Sequence, residues 1–268
     1  GEVGYGRLLD PDLLLQEVVA AASANSSLAP SSLSPSSQPR PSQPRTSSAA
    51  RVLITLGGTS EPIDEVRSIT NQSTGRTGVR IAEVLSELGF RVTCLCARLA
   101  TRPSAVDEIR EFSTYRELRE LLRHELSANS YCAVIHAAAV SDYHVEEVLI
   151  GGVRVETASK IPSGAELTLR LASNEKIVNH LREWSSNKEI NLVAFKMTQR
   201  APLEERLTAV QQLVQQSSAD FVVHNEFSEL TSTVHPFMIF DQACKEIKKG
   251  TTKDELALSI GELLTELI

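Results

Sequence analysis

From Arg51 onward the chain alternates short apolar runs with stretches whose apolar residues recur every three or four positions, and this alternation most constrains its fold. Apolar runs of that length suit strands buried on both faces, and a 3.6-residue period suits helices that cover them. The product is an α/β fold, a Rossmann-like, mostly parallel sheet flanked by helices. Strands are expected at 51–56, 90–96, 132–137, 191–197, 220–224 and 236–240. The helical stripes are Ile81, Leu85 and Leu88; Leu118, Leu121 and Leu122; Leu203, Leu207, Val210 and Val214; and Leu256, Ile260, Leu263, Leu264 and Leu267. All of these are read as core.

Two stretches break the alternation. Residues 138–166 form a long excursion punctuated by Gly, Pro and Ser, expected to be a flap over a ligand or an arm for a partner subunit. Residues 225–235 read as a shorter polar loop. Ahead of Arg51 the character changes twice. Residues 1–22 look like the end of another domain, with Asp10-Pro11-Asp12 starting a short apolar helix. Residues 23–50 are rich in Ser, Pro and Gln, a composition with too little apolar surface to offset the entropy of ordering, and are expected to be a disordered linker. The third unit is 51–268.

With 41% hydrophobic and 23% charged residues in 268, the chain can bury a sizeable core. A net charge of −7 argues against a nucleic-acid surface, which must neutralise phosphates with clustered Lys and Arg. No apolar run approaches the roughly 20 residues of a bilayer span, so no membrane association is expected. The four cysteines have no zinc-ligand spacing. Cys94 and Cys96 alternate on a strand as buried thiols, and a reducing cytoplasm suits them.

In a parallel sheet, ligands bind at loops on the carboxyl ends of the strands. Three loops qualify, 57–75, 138–143 and 196–200, and they are expected to line one crevice. The first starts with Gly57-Gly58 and enters a helix through Asn71-Gln72-Ser73-Thr74-Gly75-Arg76-Thr77-Gly78. Backbone N–H groups at a helix start, hydroxyls and a guanidinium suit a phosphate; a capped helix after a glycine turn explains the same residues. Neither a P-loop nor a G-x-G-x-x-G fingerprint is present. Asp142, after the small residues 137–141, could bind a base or a magnesium ion, or be an ordinary loop carboxylate. Lys196 follows Phe195 at a strand end that opens on the crevice; Lys160, in the excursion, reads by itself as solvated. His136 is read as a satisfied core residue, and no histidine spacing implies a metal.

The string I-T-L-G-G-T-S-E-P-I-D-E-V-R-S-I-T-N-Q-S-T-G-R-T-G, followed by A-A-A-V-S-D-Y, S-K-I-P-S-G, A-F-K and A-D-F-V-V-H-N, resembles phosphopantothenate cysteine ligase over essentially residues 51–268. The resemblance implies a ligase of coenzyme A biosynthesis that joins 4'-phosphopantothenate and L-cysteine through an acyl nucleotidylate, with CTP or ATP and Mg2+. It also implies a homodimer assembled through the sheet and flap region. By the same resemblance Asn71 acts on the acyl nucleotidylate, with Arg76 beside the substrate. Ser73, Gly75 and Gly78 hold phosphates, and Ala138, Asp142 and Phe195 belong to the nucleotide site. Lys160 is implied to be catalytic, on a flexible flap that closes over the intermediate, where its charge stabilises the transferring phosphate and water is excluded. The flap run Lys160-Ile161-Pro162-Ser163, in place of K-I-K-K, and the glutamines 211, 212, 215 and 216, in place of lysines, leave CTP and ATP both open. The opening G-E-V-G-Y-G-R-L-L-D-P resembles the tail of the flavin-dependent phosphopantothenoylcysteine decarboxylase, though no decarboxylase activity is expected of it. From the residues alone, a non-catalytic nucleotide-binding module and an NAD(P)-dependent Rossmann-like oxidoreductase remain as alternatives.

Overall fold

The structure, a computed structural model, describes residues 49–155, 161, 164, 166–231 and 233–268. The expectations for residues 1–22, for most of 23–50 and for Lys160 lie outside the described residues. The strands in chain order are β1 (Arg51–Leu56), β2 (Ser60–Pro62), β3 (Ser68–Thr70), β4 (Arg91–Ala97), β5 (Glu108–Phe112), β6 (Ala133–His136), β7 (Tyr143–Ile150), β8 (Val153–Val155), β9 (Leu167–Ser173), β10 (Asn191–Thr198), β11 (Phe221–Glu226), β12 (Phe237–Asp241) and β13 (Glu246–Gly250). The helices are α1 (Arg76–Glu87), α2 (Tyr115–Ala128), α3 (Leu181–Trp184), α4 (Leu203–Ser217) and α5 (Lys253–Leu267).

The main sheet has the order β13-β12-β11-β10-β6-β1-β4-β5, parallel from β11 to β5 and antiparallel at β12 and β13. The mostly parallel α/β sheet is therefore as expected. β1 lies in its middle, and Val52, Leu53, Ile54 and Leu56 are fully buried because helices cover both faces. From β1 the chain first moves to β4 and β5, then crosses back to lay β6 on the other side of β1. The loops after β1 and β6 consequently diverge at a topological switch point, where this architecture opens a crevice. α1 packs on β1 and β4 and against α5, while α4 packs on β10 and β11. Right-handed crossovers taken in opposite directions from β1 place these helices on opposite faces.

The excursion 138–166 is not a plain loop. β7 and β8 lie within it, and they pair with β9 in a separate antiparallel sheet of order β8-β7-β9. A register shift between Val145 and Glu147 breaks the alternation of β7 and hides its period from the sequence. The polar stretch 225–235 likewise begins inside β11 and continues as the short 3-10 turn Phe227–Glu229. Three leucines expected in the core are largely exposed. Leu88 and Leu267 stand at helix ends and Leu203 opens α4, positions that leave much of each side chain uncovered, although Leu88 still reaches Gly261 of α5. Strands β5 and β13, at the sheet edges, carry too many charges to be read from apolar runs.

Candidate active site

Backbone and hydroxyl bonds staple the loops after β1 and β6 together. Gly58 bridges Ala139, Ala139 N–H donates to Gly57 C=O at 2.8 Å, and Thr59 N–H donates to Ala139 C=O at 3.2 Å. The buried Thr59 hydroxyl accepts from Ser141 N–H at 2.8 Å, and Thr55 Oγ1 accepts from Ala138 N–H at 3.2 Å. Thr55 lies near the end of a strand buried on both faces and Thr59 in the loop just beyond it, and both hydroxyls are satisfied by the neighbouring loop. Asn71 joins the same network, its Nδ2 donating to Ala139 C=O at 3.0 Å. That bond orients the carboxamide and leaves Oδ1 and the second N–H without a partner among the described residues.

Three hollows adjoin this staple. One, under α4, is lined by His136, Ala138, Asp142, Lys176, Phe195 and Lys196, with Gln212 and Gln216 on its helical wall. A second, toward the β2–β3 ribbon, includes Gly58, Asn71, Ser73, Arg67 and Arg98. Between them a third contains Asn71, Ser141, Asp142, Ile69 and Leu171. Asn71 thus borders two of the three, and Asp142 the middle one and the hollow under α4.

In the hollow under α4 the charges are ordered. Asp142 is ion-paired with Lys176, whose position after β9 is fixed by Asn174, which donates to Ser141 C=O at 3.0 Å and to Asp142 C=O at 2.8 Å. Lys196 makes no side-chain hydrogen bond or ion pair among the described residues, so a cation stands open to an anionic ligand. His136 is buried, 2.9 Å from Thr55 Oγ1, and burial pushes its pKa down to about 4. Its ring is neutral at neutral pH.

Asn71, Ser73 and Gly58 therefore meet in one hollow, and Ala138, Asp142, Phe195 and Lys196 in another. Gly57, Gly75 and Gly78 are buried instead. Gly75 caps α1 with φ +74°, and a Cβ on Gly78 would stand 2.6 Å from Leu56 Cβ, so both let α1 approach β1. Arg76 is exposed and borders none of the three hollows. His136, satisfied as expected, also lines the hollow under α4. Sequence reasoning missed Lys176, Asn174, Thr55 and Thr59. The polar run Asn174-Glu175-Lys176 carries no motif, and the two threonines sit in or beside an apolar run that reads as core. Among the described residues no three His, Cys, Asp or Glu side chains converge on a metal position. Mg2+ commonly binds through one or two carboxylates together with substrate phosphates, so these residues fit an ion carried by a nucleotide rather than a dedicated cage.

Residues 47–267 match the family described as the DNA/pantothenate metabolism flavoprotein C-terminal domain. The chain belongs to this family. Among the relatives of this domain, the coenzyme A biosynthesis bifunctional protein CoaBC of Thermococcus kodakarensis is 31% identical over 218 residues, covering 81% of this chain and 51% of that protein. The chain spans about half the length of the curated relatives it matches. Among solved structures of the family, the DNA/pantothenate metabolism flavoprotein of Streptococcus pneumoniae superposes with a TM-score of 0.73 at 27% identity, over 82% of this chain and 100% of that one. The C-terminal domain of a CoaBC protein does so with a TM-score of 0.62 at 25% identity, over 81% and 95%.

Proposed function

We propose that residues 51–268 form a nucleotide-dependent carboxylate–amine ligase that joins 4'-phosphopantothenate to L-cysteine in coenzyme A biosynthesis. The carboxylate attacks the α-phosphorus of CTP or ATP, giving an acyl nucleotidylate and pyrophosphate. The cysteine amine then attacks the acyl carbon, forming the amide and releasing the nucleoside monophosphate. The observation that carries this reading is the place of Asn71, fixed by Ala139 where the ribbon hollow and the middle hollow meet. There its unpartnered N–H can bond the carbonyl oxygen as negative charge develops. The open cation of Lys196 and the Asp142–Lys176 pair suit the nucleotide in the hollow under α4, with Phe195 against the base. Ser73 faces the phosphates in the ribbon hollow, and Lys160 adds a cation to the same reaction. Mg2+ accompanies the nucleotide phosphates and neutralises part of their charge.

A homodimer belongs to this proposal. In the β8-β7-β9 sheet, Ile150 pairs with Leu167, Val148 with Leu169 and Val145 with Leu171, giving one apolar face. Glu147, Arg154 and Arg170 form ion pairs on the other. Tyr143, Val153 and Leu171 remain 56%, 68% and 44% exposed, a surface suited to a second copy. No helix of the described residues is long and apolar enough to cross a membrane, and all four cysteines are free thiols, which suits a cytoplasmic setting.

The test is one assay with 4'-phosphopantothenate, cysteine and Mg2+, run in parallel with CTP and ATP and scored for pyrophosphate, monophosphate and amide. Amide with either nucleotide supports the reading and selects the nucleotide. Nucleotide binding without product would favour a non-catalytic module, and binding of NAD(P) an oxidoreductase.

A further inference from the structure

Glu61 is a buried carboxylate with one oxygen left over. The residue is 5% exposed, and its Oε1 accepts from Tyr115 N–H at 2.8 Å at the start of α2. Its Oε2 has no hydrogen-bond or ion-pair partner among the described residues. Closing the end of α2 does not require this carboxylate, because Thr114 and Glu117 already form a capping box there. A carboxylate withdrawn from water is ordinarily paired with a cation or with several donors, and Glu61 has a single donor.

The β2–β3 ribbon sets where the free oxygen stands. Glu61 pairs with Ile69 and Ser60 with Thr70, and the register runs on one step further, where Asn71 N–H donates to Thr59 C=O at 3.3 Å. Side chains alternate along each strand, so Thr59, Glu61, Ile69 and Asn71 share one face. Glu61 and Asn71 are diagonal neighbours on that face, a separation of about 7–8 Å in an antiparallel pair. Both border the middle hollow, with Ile69 between them. A carbonyl bonded by Asn71 and a nitrogen bonded by Glu61 fit in that span, with the two reacting atoms about 3–3.5 Å apart.

Glu61 also borders a larger hollow, together with Arg116 and Arg119 of α2. Arg119 is engaged, 3.8 Å from Glu175 and 5.7 Å over the Trp184 ring. The Arg116 side chain is exposed and makes no hydrogen bond or ion pair among the described residues. A cation in the first turn opposes the helix dipole, so Arg116 does not serve α2 itself. The two hollows that share Glu61 thus offer one open negative charge and one open positive charge, the complement of an amino-acid zwitterion.

We propose that Glu61 binds the ammonium of L-cysteine and Arg116 its carboxylate, presenting the α-nitrogen to the acyl carbon at Asn71. A nitrogen that arrives as an ammonium and reacts as an amine keeps an N–H for Glu61 at both stages. The identity of the amino acid rests on the ligase reading above.

The experiment measures the two half-reactions separately in the wild-type chain, in Glu61→Gln and in Arg116→Ala. Glutamine keeps an acceptor for Tyr115 N–H and removes the charge, so the KM for cysteine should rise by about 10- to 100-fold, the worth of one charge-assisted hydrogen bond. Pyrophosphate release with phosphopantothenate and nucleotide alone should change by less than about threefold, since no amine takes part in it. Equal losses in both half-reactions would make Glu61 a merely structural residue and overturn the assignment, as would an unchanged KM. Arg116→Ala should erase the preference in kcat/KM for cysteine over cysteamine, which lacks the carboxylate; a preference that survives overturns that half of the proposal. Should Glu61→Gln fail to fold, Arg116→Ala, at an exposed position, decides. A wild-type chain that makes no amide sinks the ligase reading, and saturation-transfer NMR of L-cysteine against the wild-type chain and Glu61→Gln then judges the site. Contact seen only with the wild type upholds it, and any other pattern overturns it.

Discussion

Gly58→Ala should separate the geometry of Asn71 from the stability of the fold. Gly58 does not adopt the left-handed backbone region, so space alone opposes the alanine. Its Cβ would lie 2.6 Å from the backbone oxygen of Asn71 and 3.5 Å from the Asn71 Cβ, where ordinary contact begins at 3.4 Å. Asn71 must therefore retreat by about 0.8 Å, the step from 2.6 to 3.4 Å. The retreat strains its N–H bond to Thr59 C=O, now 3.3 Å, and the side-chain bond to Ala139. Overpacking costs about 1–3 kcal/mol, and the clashing atom is a backbone oxygen that cannot swing aside as a side-chain end would, so the middle of that range, about 2 kcal/mol, applies. Loss of glycine's freedom in the unfolded chain offsets about 0.4–1 kcal/mol. The net cost of about 1 kcal/mol lowers Tm by roughly 2–4 °C in a domain of this size. Displacing a reacting group by that much costs about 100-fold in rate. The assay is thermal melting alongside separate measurements of pyrophosphate release and amide synthesis. Amide synthesis within about threefold of wild type would refute the reasoning, because the carboxamide would then tolerate the shift. Equal loss of both half-reactions would place the disturbance in nucleotide binding.

Four further outcomes follow from the same geometry. Asn71→Asp puts a carboxylate against Ala139 C=O in place of the donor there, so amide synthesis should fall by at least about 100-fold while pyrophosphate release falls less; identical losses would contradict that role. His136 and His235 both titrate at about 4 because burial disfavours their charged forms, aided at His235 by Lys253. Their pKa values are depressed, so the unfolded chain binds more protons below its histidine pKa of about 6.5, and stability must fall as pH drops from there to about 4 and level off beyond. Each contributes at most roughly 3 kcal/mol, and urea melts of His136→Gln should show a shallower slope in that window. Lys176→Met should raise the KM for nucleotide with stability changed by less than about 1 kcal/mol, since the Asp142 pair is exposed; a large loss of Tm would count against it. The proposed homodimer predicts dimers of the wild-type chain in sedimentation equilibrium and monomers of Leu171→Arg, on the apolar face of β9.

The parallel core was legible because strands buried on both faces carry apolar runs, and β1, β4, β6, β10 and β11 each contain one. The β7–β9 sheet was not, since its apolar face is only partly covered and the shift at Val145/Glu147 erases the alternation. In the site, Asn71, Asp142 and Lys196 could be named because a strand end followed by a polar loop has a known place in such a sheet. Lys176 and Asn174 could not, because their relevance depends on β9 returning them beside the loop after β6.

The order of residues alone determined that this chain builds an α/β sheet and that the stretch from Gly57 to Gly78 follows the carboxyl end of a strand, where such sheets bind ligands, because burial period and strand ends are local properties. Only the tertiary structure decided which residues of that stretch are free to act. Gly75 and Gly78 are occupied by the packing of α1 on Leu56, whereas Asn71 keeps one N–H without a partner among the described residues because Ala139, 68 positions away, takes the other one. The hydrogen bonds from Ile161 N–H to the Asp64 carboxylate and from the Arg67 guanidinium to Ile161 C=O span still more chain. Such contacts arise from where the sheet returns the backbone, and nothing in the spacing of the residues along the sequence encodes them.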